Sequence, residues 1–124
     1  MTLVWVAAPI AAAIHVLIFA MESLWWRRPA VQQRFRATPA QAEASRLFAF
    51  NQGFYNLFLA IGVGGGLWLL AGDHRTAGLI LVCWNTASML AASVVLLASA
   101  PKMWRGALIQ GLPASIALFG ALLA

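Results

Sequence analysis

Apolar residues run almost unbroken through four stretches of the chain, and polar residues collect in the short segments between them. The stretches extend from about Leu3 to Trp26, Leu47 to Gly72, Thr76 to Ser99 and Trp104 to the C-terminus. A bilayer core of about 30 Å requires about 20 apolar residues in a helix, so each stretch is long enough to span it. Backbone amides in lipid must be paired within their own segment, which makes each run a helix. No two-residue alternation suggests a β-barrel. The pattern therefore predicts an all-α integral membrane protein, a single transmembrane domain over residues 1–124 folded as an antiparallel four-helix bundle. The first run has no basic segment before it and continues well past the length of a signal-peptide core, so it is expected to remain as a span.

Composition agrees: 63% of the residues are hydrophobic and 9% charged, outside the range of soluble domains. The net charge of +5 is unevenly spread. Arg27, Arg28, Arg34, Arg36 and Arg46 lie in the first connection, Lys102 and Arg105 in the third, and Arg75 alone in the second. Seven cations against one place the first and third connections, including the basic loop 27–46, on the cytoplasmic side, with both termini outside. With no aromatic-interleaved basic face on a soluble domain, nucleic acid is not expected, and anionic headgroups at the arginine-rich loop are the expected partner. Cys83 is alone, which excludes an intrachain disulfide or a Cys-rich metal centre.

The first connection carries a local signal. Thr38-Pro39-Ala40-Gln41 has the form of a capping box with proline at the first helical position, predicting that the second helix begins near Pro39. Trp25, Trp26 and Phe35 are expected at the membrane interface. Gly62-x-Gly64-Gly65-Gly66 would let another helix approach closely, within the bundle or from a second copy in a homo-oligomer.

Candidate chemistry lies in the polar residues inside the spans. His15 and Glu22 are seven positions apart, which on a regular helix is one face and about 10 Å of axial rise. With the cytoplasmic ends aligned, Glu22 is level with Asn51 and Gln52. Tyr55 and Asn56 lie a turn deeper, Ser93 and Gln110 project to that layer, and Arg105 reaches the level of Glu22. Trp84, at mid-span, is expected to line the bundle. Polar groups facing hydrocarbon are costly, so a shared depth predicts a polar pocket inside the bundle. In it His15 and Glu22 are the candidate catalytic pair, while Asn51, Gln52, Tyr55, Asn56, Trp84, Ser93, Arg105 and Gln110 are candidate ligand contacts.

The motif NQGFYNLFLAIG at residues 51–62, the His15…Glu22…Trp25 spacing and RGALIQGLPA at residues 105–114 resemble the small bacterial membrane proteins grouped as domain of unknown function 1304. The likeness extends over essentially the whole chain. It implies a short integral membrane protein of unassigned activity in the bacterial inner membrane.

Four functions fit these residues. A small lipophilic or amphipathic molecule could enter the pocket from the bilayer, with His15 and Glu22 available for acid–base chemistry such as an isomerisation that needs no cofactor or metal. Glu22 could instead be the carboxylate of a proton-coupled transporter. Haem would rest on His15 as the only mid-span imidazole, and bis-histidine ligation would need a second chain. A scaffold would use the polar layer only to specify packing.

Overall fold

The computed structural model describes residues 1–124 and contains helices and turns only. Helix α1 (Thr2–Phe19) passes directly into a π-turn (Ala20–Leu24). Two six-residue helices, α2 (Pro29–Arg34) and α3 (Pro39–Ala44), form a cap at that end of the molecule. The chain then runs through α4 (Arg46–Ala71), α5 (Arg75–Ser99), a 3₁₀ turn (Pro101–Met103) and α6 (Trp104–Leu122). Four segments are long and apolar enough to cross a membrane: Thr2–Leu24, Arg46–Ala71, Arg75–Ser99 and Pro101–Leu122. They pack as a ring in which α1 touches α4 and α6, and α5 touches the same two from the opposite side.

Small residues set the spacing of that ring. Ala7, Ala8 and Ala11 of α1 and Ala114, Ala117 and Ala121 of α6 are all buried in one cluster with Val4, Val63, Val82 and Met89. A Cβ on Gly120 would stand 2.7 Å from Leu3 Cβ, so glycine there is what lets α6 reach the start of α1. In lipid, helix association depends on such close packing because tails compete equally for apolar surface. Gly66 serves α4 and α5 in the same way, its missing Cβ leaving room for Val82 and the Gly78 carbonyl.

The second span, Arg46–Ala71, matches the apolar stretch, but the helix expected to lead into it from Pro39 is broken. The capping box forms, with Gln41 N–H donating to Thr38 Oγ1 at 3.2 Å and Thr38 N–H to Gln41 Oε1 at 3.0 Å. The helix it starts nevertheless ends at Ala44, and α4 begins afresh at Arg46 after Ser45 leaves helical geometry at φ −100°, ψ 3°. Ser45 Oγ donates to the Gln41 carbonyl at 2.8 Å, a side-chain bond that competes with helix continuation. Thus α3 belongs to the cap and not to the span.

Trp26 fastens the cap. Its Nε1–H donates to the Ala42 carbonyl at 2.7 Å, and its ring meets Phe35 edge to face at 5.2 Å between centroids. Val31 of α2 and Ala42 of α3 are the buried residues of these two cap helices. Arg36 turns the chain between the two short helices at φ 53°, a conformation unusual for a residue with a side chain. At the opposite end Arg75 Nη2 donates to the Ala124 carbonyl at 2.6 Å, tying α5 to the end of α6.

Candidate functional site

The π-turn of the first span decides where its carboxylate goes. Trp25 N–H bonds to the Ala20 carbonyl at 2.9 Å, an i→i+5 closure. Such a turn fits one extra residue into the helix, so the chain beyond it is rotated by roughly 100° relative to a regular α-helix. Ser23 then faces α4 and donates through Oγ to the Phe50 carbonyl at 2.8 Å. Gly53 makes this approach feasible, since a Cβ at that position would collide with Ser23 Oγ and come within 3.1 Å of Glu22 Cβ and the Phe19 carbonyl.

Glu22 reaches across the same seam. Asn56 Nδ2 donates to Glu22 Oε2 at 3.1 Å and also to the Gln52 carbonyl at 3.1 Å. This is the one hydrogen bond between two side chains in the protein's tertiary packing. No cation pairs with Glu22. The two ion pairs of the structure are both made by Glu43, with Arg46 at 3.5 Å and Arg27 at 3.9 Å.

Beside Glu22 lies a recess of about 420 Å³, lined by Glu22, Trp26, Ser45, Phe48, Ala49, Asn51, Gln52 and Tyr55. It sits between the bend of the first span and the opening turns of α4, under the cap. Phe48 and Tyr55 are 76% and 63% exposed, so its wall is continuous with the lipid-facing surface of α4. A second recess, of about 230 Å³, lies between α1 and α6 near the other end and is lined by Leu3, Val6, Ala7, Ile10, Leu112, Pro113 and Ile116. It offers no polar side chain.

The remaining candidate residues lie elsewhere. His15 is fully buried, its Nδ1 2.8 Å from the Ala11 carbonyl, and its Nε2 is the one buried side-chain nitrogen or oxygen with no partner. An Nδ1–H donating to that carbonyl leaves Nε2 as a free acceptor. His15 does not line the Glu22 recess, and the π-turn interrupts the regular helix on which the expected common face depended. Ser93 is buried and donates to its own Leu90 carbonyl at 2.8 Å, packed against the bare Cα of Gly111. Gln110 is buried in α6. Asn85 donates to the Leu81 carbonyl at 2.8 Å and is seated on Gly62. The single polar layer expected from depth alone is therefore several separate seats, of which His15, Asn85 and Ser93 each bond to a carbonyl of their own helix.

Two expectations are corrected. Trp84 is 72% exposed on the outside of α5 and does not line the bundle. Arg105 is exposed, lies over the ring of its neighbour Trp104 at 5.3 Å, and makes no ion pair with Glu22. Long cationic side chains at a span's end gain more by reaching outward than by entering the bundle. The sequence reading overlooked Ser23 and Gly53. Gly53 between Gln52 and Phe54 in the polar part of α4 was the available sign of close helix approach.

A family model described as a protein of unknown function, DUF1304, matches residues 9–122. No curated protein and no solved structure shows a match to the chain.

Proposed function

Because the chain belongs to the DUF1304 family, whose description assigns no activity, its function must be sought in the site, and we propose that the recess beside Glu22 binds a small amphipathic molecule arriving from the bilayer. The observation that carries this reading is the pairing of a carboxylate with an open, lipid-continuous recess. Glu22 is held by Asn56 from behind while Asn51, Gln52 and Ser45 edge the same space. Convergent polar groups in a mainly apolar concavity are the usual form of a small-molecule site. A polar head would meet Glu22 under the cap, and an apolar body would follow Phe48 and Tyr55 into lipid.

The arginine-rich end faces the cytoplasm of a bacterial inner membrane in this reading, with both termini outside and anionic headgroups against the exposed arginines. Copies of the chain meeting at the lipid face of Gly64 and Gly65, where an added Cβ would touch nothing, would form the homo-oligomer.

The decisive experiment is extraction of wild-type protein and an Asn51→Leu variant, both purified in lipid nanodiscs, followed by mass spectrometry of what each carries. A compound present with wild type and depleted in the variant supports the site. Identical extracts overturn it.

A second reading, acid–base chemistry, is favoured by one observation: His15 Nε2 is a buried lone pair with no partner. An imidazole in that state offers its lone pair to a donor brought within reach. Turnover of a bilayer-derived substrate that disappears in a folded His15→Leu variant would support it. Equal turnover in wild type and His15→Leu would remove it.

A further inference from the structure

The groups bordering the recess have an uneven inventory. Trp26 spends its N–H on the Ala42 carbonyl and Ser45 its O–H on the Gln41 carbonyl, at 2.7 and 2.8 Å. Asn51 donates to the Leu47 carbonyl at 2.9 Å, which leaves its amide oxygen unspent. Glu22 contributes only acceptors when ionised. Free acceptors thus remain on Glu22 and Asn51, beside the uncommitted amide of Gln52 and hydroxyl of Tyr55.

The recess lacks any positive group. Seven of the chain's eight cations belong to this end of the sequence pattern, yet none lines the recess. Arg27 and Arg46 lie against Glu43, Arg28 lies over Trp25 at 4.9 Å, and Arg105 lies over Trp104. The dipole at the end of α1 and that at the start of α4 have opposite sign, so they largely cancel between the two antiparallel helices. The side chains set the potential there.

Three of those side chains are aromatic: Trp26, Phe48 and Tyr55. Ring faces are electronegative, and rings combined with a carboxylate form the surroundings that attract ammonium groups. An anionic head would meet Glu22 with no compensating cation.

Resting on the binding reading above, we propose that the ligand class is a lipophilic cation, an ammonium head on an alkyl or aryl body. The head lies between Glu22 and the three rings, and the body extends along α4 into the bilayer.

The test measures saturation binding of tritiated dodecyltrimethylammonium, dodecanol and dodecyl sulfate to the full chain in nanodiscs of neutral lipid, after subtraction of partitioning into empty nanodiscs. The cation is expected to bind about tenfold or more tighter than the alcohol, and the sulfate weakest. Glu22→Gln, which keeps an oxygen for Asn56, should reduce the cation to the level of the alcohol. Phe48→Leu, which removes one ring face, should weaken the cation several-fold more than it weakens dodecanol. Dodecanol binding as tightly as the cation, or Glu22→Gln leaving the preference intact, would overturn the ammonium assignment and keep the amphipath site. Preference for the sulfate would overturn it as well. Saturation by none of the three would remove the binding reading itself.

Discussion

Asn56 is bonded to Glu22 through one amide that serves two helices: Nδ2 donates 3.1 Å to the carboxylate of the first span and 3.1 Å to the carbonyl of Gln52 one turn back on its own helix. The carboxylate is therefore fixed in direction without a counter-ion, and the asparagine is fixed in turn by its backbone. Hydrogen bonds between spans contribute on average about 0.6 kcal/mol, because the separated helices find other partners. Removing the amide alone leaves a half-buried carboxylate unsatisfied, and the loss is correspondingly larger, about 1–3 kcal/mol.

Asn56→Leu should accordingly destabilise the bundle by about 1–3 kcal/mol, and Glu22→Gln, which still accepts from Asn56, by less than about 1 kcal/mol. Reversible unfolding in mixed micelles measures both. Equal losses would mean that the carboxylate is not seated as described.

Gly53 and Gly64 should respond oppositely to alanine. A Cβ on Gly53 meets Ser23, Glu22 and the Phe19 carbonyl, whereas one on Gly64 meets nothing within 4 Å. Overpacking at the first should cost about 1–3 kcal/mol. At the second, alanine should be neutral or stabilise by up to about 1 kcal/mol through better helix propensity. Thermal unfolding of the two variants separates these cases.

His15→Leu removes the buried acceptor that the fold leaves unpaired. An unsatisfied group costs about 1–3 kcal/mol, so a leucine of similar bulk should be tolerated within about 1 kcal/mol or stabilise the protein. A large loss on chemical denaturation would show that Nε2 has a partner in the folded state.

Two engineered cysteines test orientation, each in a Cys83→Ala background. Arg36→Cys at the turn of the cap should react with an impermeant maleimide only after cells are opened, and His74→Cys between α4 and α5 should react on intact cells. The reverse pattern would invert the proposed topology.

Arg36→Gly relieves the one positive-φ residue with a side chain. Glycine adopts that conformation freely, which favours the variant by about 1 kcal/mol, less what its greater freedom when unfolded takes back. Slower proteolysis within residues 27–45 would report the gain.

The sequence revealed what lipid itself enforces. Spans follow from hydropathy, since no unpaired amide survives in hydrocarbon, and the Thr38–Gln41 box is local enough to read directly. The turn at Ala20–Leu24 was hidden because Ala-Met-Glu-Ser-Leu carries no residue that demands a wide turn. Its cause is tertiary, in the approach of Gly53 and the Ser23–Phe50 bond. Axial depth put Glu22 level with Asn51 and Gln52, but depth says nothing of azimuth, and the carboxylate bonds to Asn56 instead. Trp84 illustrates the same limit: mid-span position does not distinguish a lumen from the tails around it.

One consequence of the wide turn concerns deletions. Excising Met21 would let the first span close into ordinary i→i+4 bonding, at little cost to its own helicity. Trp25, Trp26 and Arg27 would then swing by roughly 100° about the span axis, and the tryptophan that latches Ala42 would aim elsewhere. A chain one residue shorter would still insert into the bilayer, but with its lid unlatched.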